Sequence, residues 1–245
     1  MKFSITHYTY TNPKIGADLG GYRIAQVSDL HSADYGSELI CAIRDFAPHI
    51  IAVTGDIFDR HRPDVSAPTF SFLHQAMVLV PVFFIEGNHE GKLESYPRLK
   101  RQMQEIGVHT MENEAVELCF GTASFRLIGL TDKADLQTIK ALASPDKLNI
   151  LLSHRVEKFD SYVQAGIDLA LCGHAHGGQA RLFGIGAYAP QQGLFPKYTK
   201  GIYQKAQTTM IASAGLGDGR FRRINNPREL VCVTLSANWQ KQIEQ

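Results

Sequence analysis

The sequence predicts a layered α/β fold, and two observations on its 245 residues support that prediction. Short runs rich in Val, Ile, Leu and Phe recur along the chain, and turn residues bound each run, as is typical of strands buried on both faces. Helix-like stretches separate several of these runs, and strand–helix alternation indicates an α/β architecture. The predicted strands are 23–29, 49–56, 80–88, 125–132, 148–154 and 168–176.

Three helices are predicted between these strands, at 38–46, 68–79 and 96–106. In the first, Leu39, Ile40 and Ile43 share one face, and in the third Leu99 and Met103 do the same. The second is mostly apolar. Two later apolar runs, at 209–217 and 229–235, have no long helix between them, which indicates strands of a second sheet.

Composition indicates a globular protein, which we expect to form a single domain over 1–245. Lys and Arg number 25 against 24 Asp and Glu, so no global field draws the chain to nucleic acid or to an anionic membrane. A nucleic-acid partner is therefore not expected, and no obligate protein partner is evident. Without a leader or an apolar spanning run, we expect a cytoplasmic protein, with peripheral membrane or lipid contact left open. The four cysteines form no CxxC pair and are expected to be buried thiols.

Polar side chains stand where the predicted strands end. Asp29, Asp56, Asn88, His154 and His174 all occupy such positions, and in α/β sheets the sites form beyond the carboxyl ends of the strands. We therefore expect these side chains to converge.

Two more histidines, His31 and His176, follow Asp29 and His174 at the i+2 position, which faces the same way in an extended chain. The glycines before Asp56, Asn88 and His174 let the backbone turn sharply and approach closely.

These seven side chains offer carboxylate, amide and imidazole ligands, a mixture that suits Mn, Fe, Zn or Co better than Ca or Mg. Seven ligands are too many for one ion but fit two ions that share a carboxylate. Such a pair, about 3.5–4 Å apart, can activate a bridging water for in-line displacement. Each motif alone is more often structural, so the interpretation depends on their conjunction.

The motif blocks "SDLH", "TGDIFD", "EGNHE", "SHR" and "CGHAH" resemble those of the calcineurin-like metallophosphoesterases. The resemblance implies a four-layer α/β/β/α sandwich of two mixed sheets flanked by helices, with two metals at one end. It assigns Asp29, His31, Asp56 and His176 to one metal. It assigns Asp56, Asn88, His154 and His174 to the other, with Asp56 bridging.

The same resemblance implies that His89 is a catalytic residue that protonates the leaving oxygen, and that Glu90 orients it. Asp59 either orients a ligand likewise or is an ordinary turn residue. The expected cofactors are two divalent or mixed-valence metal ions, with Mn preferred and Fe or Zn as alternatives.

We therefore expect a dinuclear phosphoric ester hydrolase, a phosphodiesterase or pyrophosphatase for a small-molecule substrate, in which a metal-bridging hydroxide attacks phosphorus. Motifs such as "GHAHGGQ" and "PKYTKGIY" resemble a bacterial branch with exported or membrane-attached members, including UDP-diacylglucosamine pyrophosphatases of lipid A synthesis, which is one alternative. A phosphomonoesterase or protein phosphatase and a non-catalytic metal-binding scaffold are the others. Ser32 and Ala33 depart from the branch's usual apolar-Gly pair, and we expect no leader of the kind that its exported members carry.

Substrate contacts are expected from Arg60 and Arg155, and more weakly from Lys92. The segment 179–203 is rich in Gly, Pro and apolar side chains, which we expect to pack over the second sheet. A lipid- or nucleoside-binding wall is the alternative. The apolar side chains concerned are Phe183, Ile185, Tyr188, Leu194, Phe195 and Tyr198.

Overall fold

A computed structural model describes residues 2–218 and 223–237. The predicted domain of 1–245 therefore includes residues 1, 219–222 and 238–245, which lie outside the described residues. The strands are β1 Ser4–Thr11, β2 Arg23–Val27, β3 Ile50–Val53, β4 Val82–Ile85, β5 His109–Met111, β6 Glu114–Phe120, β7 Ala123–Gly129, β8 Asn149–Ser153, β9 Leu169–Cys172, β10 Arg181–Leu182, β11 Ile185–Gly186, β12 Tyr188–Ala189, β13 Gly193–Leu194, β14 Gly201–Lys205, β15 Thr208–Ala212 and β16 Glu229–Ser236. The α-helices are α1 Glu38–Phe46, α2 Ala67–Leu79, α3 Tyr96–Glu105, α4 Leu136–Leu142 and α5 Phe159–Gln164.

Two six-stranded mixed sheets dominate the fold. The first has the order β1-β16-β2-β3-β4-β5, in which β2 to β5 are parallel and β16 runs antiparallel to β2. The second has the order β14-β15-β9-β8-β7-β6, in which β7, β8, β9 and β15 are parallel and the two edge strands are antiparallel. The parallel strands of each sheet therefore deliver their carboxyl ends to one edge.

Three apolar clusters show that the sheets and helices form four layers. The first cluster lies between the first sheet and α1, α2 and α3, and it includes Ile43 and Leu73. The second fills the space between the sheets, where Phe83 of β4 and Leu127 of β7 both belong to it. The third joins the second sheet to α4 and α5 through side chains such as Tyr162. The predicted α/β/β/α sandwich is confirmed.

The six predicted strands appear as β2, β3, β4, β7, β8 and β9, and each ends before the polar residues assigned to its end. Helix α1 has the predicted bounds, α2 begins one residue earlier and α3 ends one residue earlier. The two late strands were expected in a second sheet, but only β15 lies there. Strand β16 instead lies between β1 and β2 in the first sheet, because its apolar side chains fill both faces of that sheet.

Within residues 2–218 and 223–237, no helix combines the length and apolar character that crossing a membrane requires.

Candidate metal centre

The site lies where the carboxyl ends of the two sheets meet. Asp29, Asp56 and Asn88 follow strands of the first sheet, whereas His154 and His174 follow strands of the second. Below them, the Gln26 side chain donates to the Thr54 hydroxyl (3.1 Å) and across to the Cys172 carbonyl (2.9 Å). This buried amide ties the two sheets together and fixes their relative position under the site.

One group of ligand atoms comes from Asp29, His31 and His176, which are all buried. The Nε2 atom of His176 lies 3.3 Å from Asp29 Oδ1 and 3.2 Å from His31 Nε2. The three ligand atoms lie within 4.8 Å of one another. Such spacing is what a single ion bound by three side chains needs.

A second group comes from Asp56, His154 and His174. His154 Nε2 lies 3.2 Å from Asp56 Oδ2 and 3.1 Å from His174 Nδ1. Asp56 also lies within 4.8 Å of ligand atoms of His31 and His89. Its carboxylate is therefore positioned between the two groups.

Asn88 lies in the same cleft as Asp56. Its side-chain oxygen Oδ1 is buried and has no hydrogen-bond partner among the described residues. A buried carbonyl oxygen without a donor costs about 1–3 kcal/mol, and a cation removes that cost. The residues present thus fit a pair of metal ions.

The backbone that carries these ligands is not extended, contrary to our assumption for the two i+2 pairs. Asp29 and His31 both have φ 49°, and His174 and His176 have φ 70° and 46°. Asp56 has φ 53°. Residues other than glycine rarely adopt this left-handed conformation, which costs about 1–3 kcal/mol and is concentrated at functional sites. The pairs converge through tight turns past the strand ends and not through strand alternation.

Two glycines permit the close approach of these turns. A Cβ atom on Gly87 would lie 2.2 Å from Asp56 Oδ1, and one on Gly173 would lie 2.6 Å from Asp29 Oδ2. Both distances are too short for any real side chain. Glycine is therefore required before Asn88 and His174, as the sequence predicted.

The ring nitrogens of His154, His174 and His176 that face away from the two groups have their own partners, whereas the buried His31 Nδ1 has none among the described residues. His154 Nδ1 lies 2.8 Å from the Thr54 carbonyl, to which it can donate. His174 Nε2 contacts the Gln191 side-chain oxygen. Such contacts fix the tautomer and aim the other nitrogen at the site.

His176 Nδ1 lies 3.3 Å from Arg223 Nη2. Neither Gln191 nor Arg223 was identified from sequence, because both are far from the motifs along the chain.

Burial sets the protonation of three of the histidines. It lowers the pKa of His31, His174 and His176 to about 3, so these imidazoles are neutral at neutral pH and can act as ligands. Burial also disfavours charge on His154, but the Asp56 carboxylate outweighs it and raises the pKa of His154 to about 10. Likewise, burial opposes ionisation of Asp56, yet His154 holds the pKa of Asp56 well below its usual range.

His89 lies beside the two groups, and its ring packs edge-on against that of His31 with a centroid distance of 4.5 Å. Its Nδ1 atom accepts from the Arg60 N–H (3.2 Å) and lies 3.4 Å from Asp59 Oδ1. Burial lowers the pKa of His89, while Asp56 and Asp59 oppose that shift. The ring also lines the cleft.

This cleft has a volume of about 480 Å³ and opens over the candidate ligands. Arg60, His61 and Lys92 line it together with His89, and a separate set of side chains comes from the segment after His176. That second set consists of Gln179, Tyr188, Pro190 and Gln191.

With this geometry established, comparison with known proteins identifies the family. The family model described as calcineurin-like phosphoesterase matches residues 22–178, a span that contains every candidate ligand. The chain belongs to this family. Residues 22–178 accordingly form a metallophosphoesterase domain.

Among curated proteins, the metallophosphoesterase YkuE of Bacillus subtilis is 28% identical over 254 residues, covering 95% of this chain and 86% of YkuE. The phosphodiesterase YaeI of Escherichia coli is 25% identical and covers 87% of this chain and 82% of its own. With two other relatives the match spans less of their length, 64% of one and 60% of the other. A solved dimetal phosphatase from Danio rerio shares the fold, with a TM-score of 0.51, 12% identity, and coverage of 80% of this chain and 88% of that one.

The structure of this phosphoesterase corrects the expectation for Glu90. Its Oε2 accepts from the backbone N–H groups of Asp56 and Gly87, and its Oε1 accepts from that of Phe58, all at 2.9 Å. Glu90 therefore joins the turns after β3 and β4 and does not orient the His89 ring. Asp59 is the carboxylate beside His89, and Arg62 Nε holds its other oxygen at 3.0 Å.

The two predicted substrate contacts differ in placement. Arg60 lines the cleft as expected, and so does Lys92. Arg155 does not line it, because both oxygens of Asp132 hold its guanidinium, one of them at 2.6 Å from Nη2. Its Nη1 lies 3.0 Å from His174 Nε2, so Arg155 lies beside a candidate ligand and does not line the cleft.

The apolar side chains of 179–203 were expected to pack over the second sheet, and most do not. Tyr198 is buried against Phe159, with a ring-centroid distance of 5.5 Å. The others in the set are exposed. Four of them lie in two short hairpins, β10–β11 and β12–β13, and Phe195 directly follows the second. Neither hairpin is part of a large sheet.

Proposed function

We propose that this phosphoesterase is a two-metal phosphodiesterase or pyrophosphatase acting on a small-molecule substrate. The observation that carries the proposal is the position of Asp56, whose carboxylate lies within reach of both ligand groups. A single ion would leave one buried group of imidazoles unused, whereas two ions that share Asp56 use both.

The proposed ligand assignment follows from the two groups. Asp29, His31 and His176 with Asp56 would hold one ion. Asp56, His154 and His174 with the unpartnered oxygen of Asn88 would hold the other. The mixed oxygen and imidazole donors favour Mn, with Fe or Zn as alternatives. When bound, the two ions supply an activated water and stabilise the charge of the reacting phosphate.

His89 is the proposed general acid. In the imidazolium form its Nδ1–H would donate to Asp59 Oδ1, 3.4 Å away, in place of accepting from the Arg60 N–H, and its Nε2–H would face the cleft. Asp59 favours that form, since a nearby carboxylate favours a positive ring. The Nε2 proton would pass to the leaving oxygen, and a neutral imidazole would remain.

The cleft supports a substrate with two substituents on phosphorus. Arg60 and Lys92 provide positive charge for the phosphate on one side. Tyr188 and Pro190 line another part of the cleft, which leaves room for a second ester group. The name of the relative YaeI as a phosphodiesterase adds support for a diester.

A comparison of aryl phosphates tests the reaction. With Mn²⁺ present, we expect the enzyme to hydrolyse bis(p-nitrophenyl) phosphate faster than p-nitrophenyl phosphate. We also expect chelation to abolish turnover and added Mn²⁺ to restore it. A faster monoester reaction would contradict the diester assignment, and full turnover by demetallated protein would contradict the metal mechanism.

A substrate panel at fixed Mn²⁺ then addresses specificity. Nucleotide diesters, UDP-sugars and UDP-diacylglucosamine differ in whether the phosphorus bears an ester or an anhydride and in whether acyl chains are attached. Preferential cleavage of the anhydrides would assign a pyrophosphatase, and preferential cleavage of nucleotide diesters would assign a phosphodiesterase.

A further inference from the structure

Five large apolar side chains are exposed on the two small hairpins beside the cleft or directly after the second one, and we refer to them as the apolar tips. Phe183 is 94% exposed, Phe195 78% and Leu194 74%. Soluble proteins rarely expose this many large apolar side chains within one short segment, here 182–195, unless they contact something. The apolar tips are Leu182, Phe183, Ile185, Leu194 and Phe195.

The backbone at the tips makes their composition harder to explain by folding alone. Phe183 has φ 49° and Phe195 has φ 51°, a conformation that glycine adopts freely and Asn or Asp tolerate. A bulky ring there strains the turn, and the exposed ring buries almost nothing in return. The fold does not benefit from phenylalanine at either position, so we attribute these side chains to an external contact.

The charge around the tips indicates which partner they contact. Residues 169–217 contain no Asp or Glu. Of the four basic residues there, Lys200 and Lys205 pair with Glu229 and Asp160 from other segments, and Arg181 donates to the Gly177 carbonyl. Lys197 is therefore the basic residue that can contribute charge beside the tips. Lys197 follows the Phe195 tip closely, and its ammonium lies 5.0 Å from the centroid of the Tyr198 ring. Exposed apolar side chains flanked by lysine and aromatic residues are typical of proteins that bind at the interface of a membrane.

We propose that the apolar tips insert into the surface of a lipid bilayer that carries anionic headgroups. A fluid bilayer accepts separate projecting side chains, whereas a folded protein partner requires a continuous complementary face. The net charge of +1 is too small to recruit the whole molecule, so apolar insertion provides the main contribution and Lys197 adds to it.

Membrane docking would also bring the mouth of the cleft close to the bilayer. Hairpin β12–β13 carries Tyr188, Pro190 and Gln191 of the cleft on the same short segment that ends in Leu194 and Phe195. A bilayer that holds the tips therefore lies close to the cleft mouth. This proposal does not depend on the reaction catalysed, since binding is measured without turnover.

Vesicle co-sedimentation tests the proposal with four full-length proteins, the wild type and three variants. The double variant Phe183→Asn, Phe195→Asn removes both rings while suiting the turns, so it should fold. Lys197→Gln removes one charge, and Val78→Ser removes an apolar side chain that is 84% exposed but lies on α2. The vesicles are phosphatidylcholine with or without phosphatidylglycerol.

We expect wild-type protein to partition onto the phosphatidylglycerol vesicles, and the double variant to partition at least about tenfold less. Lys197→Gln should reduce partitioning about fivefold on those vesicles, and Val78→Ser should leave it unchanged. Hydrolysis of a water-soluble aryl diester should be the same in all four proteins, which shows that each is folded.

Two results would overturn the proposal. One is equal partitioning of wild type and the double variant, including the case in which neither binds. The other is a concentration-dependent dimer, seen by analytical ultracentrifugation, that the double variant loses, because a second copy would then be the partner.

Discussion

Two regions place non-glycine residues in the left-handed backbone conformation. One is the apolar tips, and the other is the ligand turns, which carry Asp29, His31, Asp56, His174 and His176. The two regions differ in their contacts with the rest of the fold. At the ligand turns, the Asp29 N–H donates to the Gly55 carbonyl (2.9 Å) and the His31 N–H to the Asp56 carbonyl (3.0 Å). Their side chains are buried against other candidate ligands. At the tips, Phe183 and Phe195 have the same φ and their rings are exposed.

The two regions therefore differ in whether internal contacts stabilise the strained backbone. Buried hydrogen bonds hold the backbone of the ligand turns in this conformation, which is how strained conformations persist at functional sites. The tips have no comparable internal support from their side chains. Substitutions should therefore impair activity at the ligand turns, impair stability at the buried carboxylate that joins the turns, and relieve strain at the tips.

The largest effect is expected from Asp56→Asn, because both ligand groups share this carboxylate. We expect kcat to fall on the order of 10³-fold or more. Metal content, measured by mass spectrometry, should fall as well. His74→Ala, an exposed histidine on α2, is the control and should change neither quantity. An Asp56→Asn enzyme that kept its metal and its activity would remove the shared-ligand assignment.

The next effect is expected from His89→Asn, which should lower kcat about 10²- to 10⁴-fold as loss of a general acid does, with metal content unchanged. The loss should be greater for an alkyl diester than for a nitrophenyl diester, because the nitrophenolate leaves without a proton. Asp59→Asn should produce a smaller loss, roughly 10- to 100-fold. Equal losses for both leaving groups would argue against proton donation by His89.

Glu90→Gln should affect stability. An amide cannot accept from all three backbone N–H groups that the carboxylate binds, since its nitrogen would meet another donor. We expect the free energy of unfolding in urea to fall by about 1–3 kcal/mol. Glu94→Gln, at an exposed position, is the control. No change for Glu90→Gln would mean that these hydrogen bonds do not hold the two turns together.

The smallest effect is expected at the tips, where each Phe→Asn substitution should leave stability unchanged or raise it by up to about 1 kcal/mol. Urea unfolding of Phe183→Asn and Phe195→Asn measures this directly. A clear loss of stability would show that the rings contribute packing to the fold, and the contrast between the two regions would then fail.

The candidate ligands could be located from sequence because each belongs to a short motif that ends a buried run. The neighbouring residues could not be assigned in the same way. Glu90 follows His89 directly, yet a short 3-10 helix starting at Glu90 takes its carboxylate to the turn after β3. Arg155 follows His154, but its guanidinium donates to Asp132, which lies in the turn after β7, and so does not line the cleft. Adjacency in sequence did not determine which groups touch.

The segment after His176 shows the same limit for apolar residues. Its composition predicted burial, since apolar side chains are usually removed from water. Strands β9 and β15 pair directly, however, and β14 completes that edge of the second sheet. The hairpins between β9 and β14 therefore lie outside the sheet, with their tips exposed.

The sequence alone determined the strand–helix alternation and the chemical identity of the candidate ligands, because hydrophobic runs and short motifs are local properties of the chain. Only the tertiary structure decided where each strand ends, that Asp59 and not Glu90 lies beside His89, that Arg155 lies beside His174, and that β16 joins the first sheet. Those outcomes are contacts between residues far apart in sequence. They depend on which distant segments pack together, and this is decided only when the two sheets assemble.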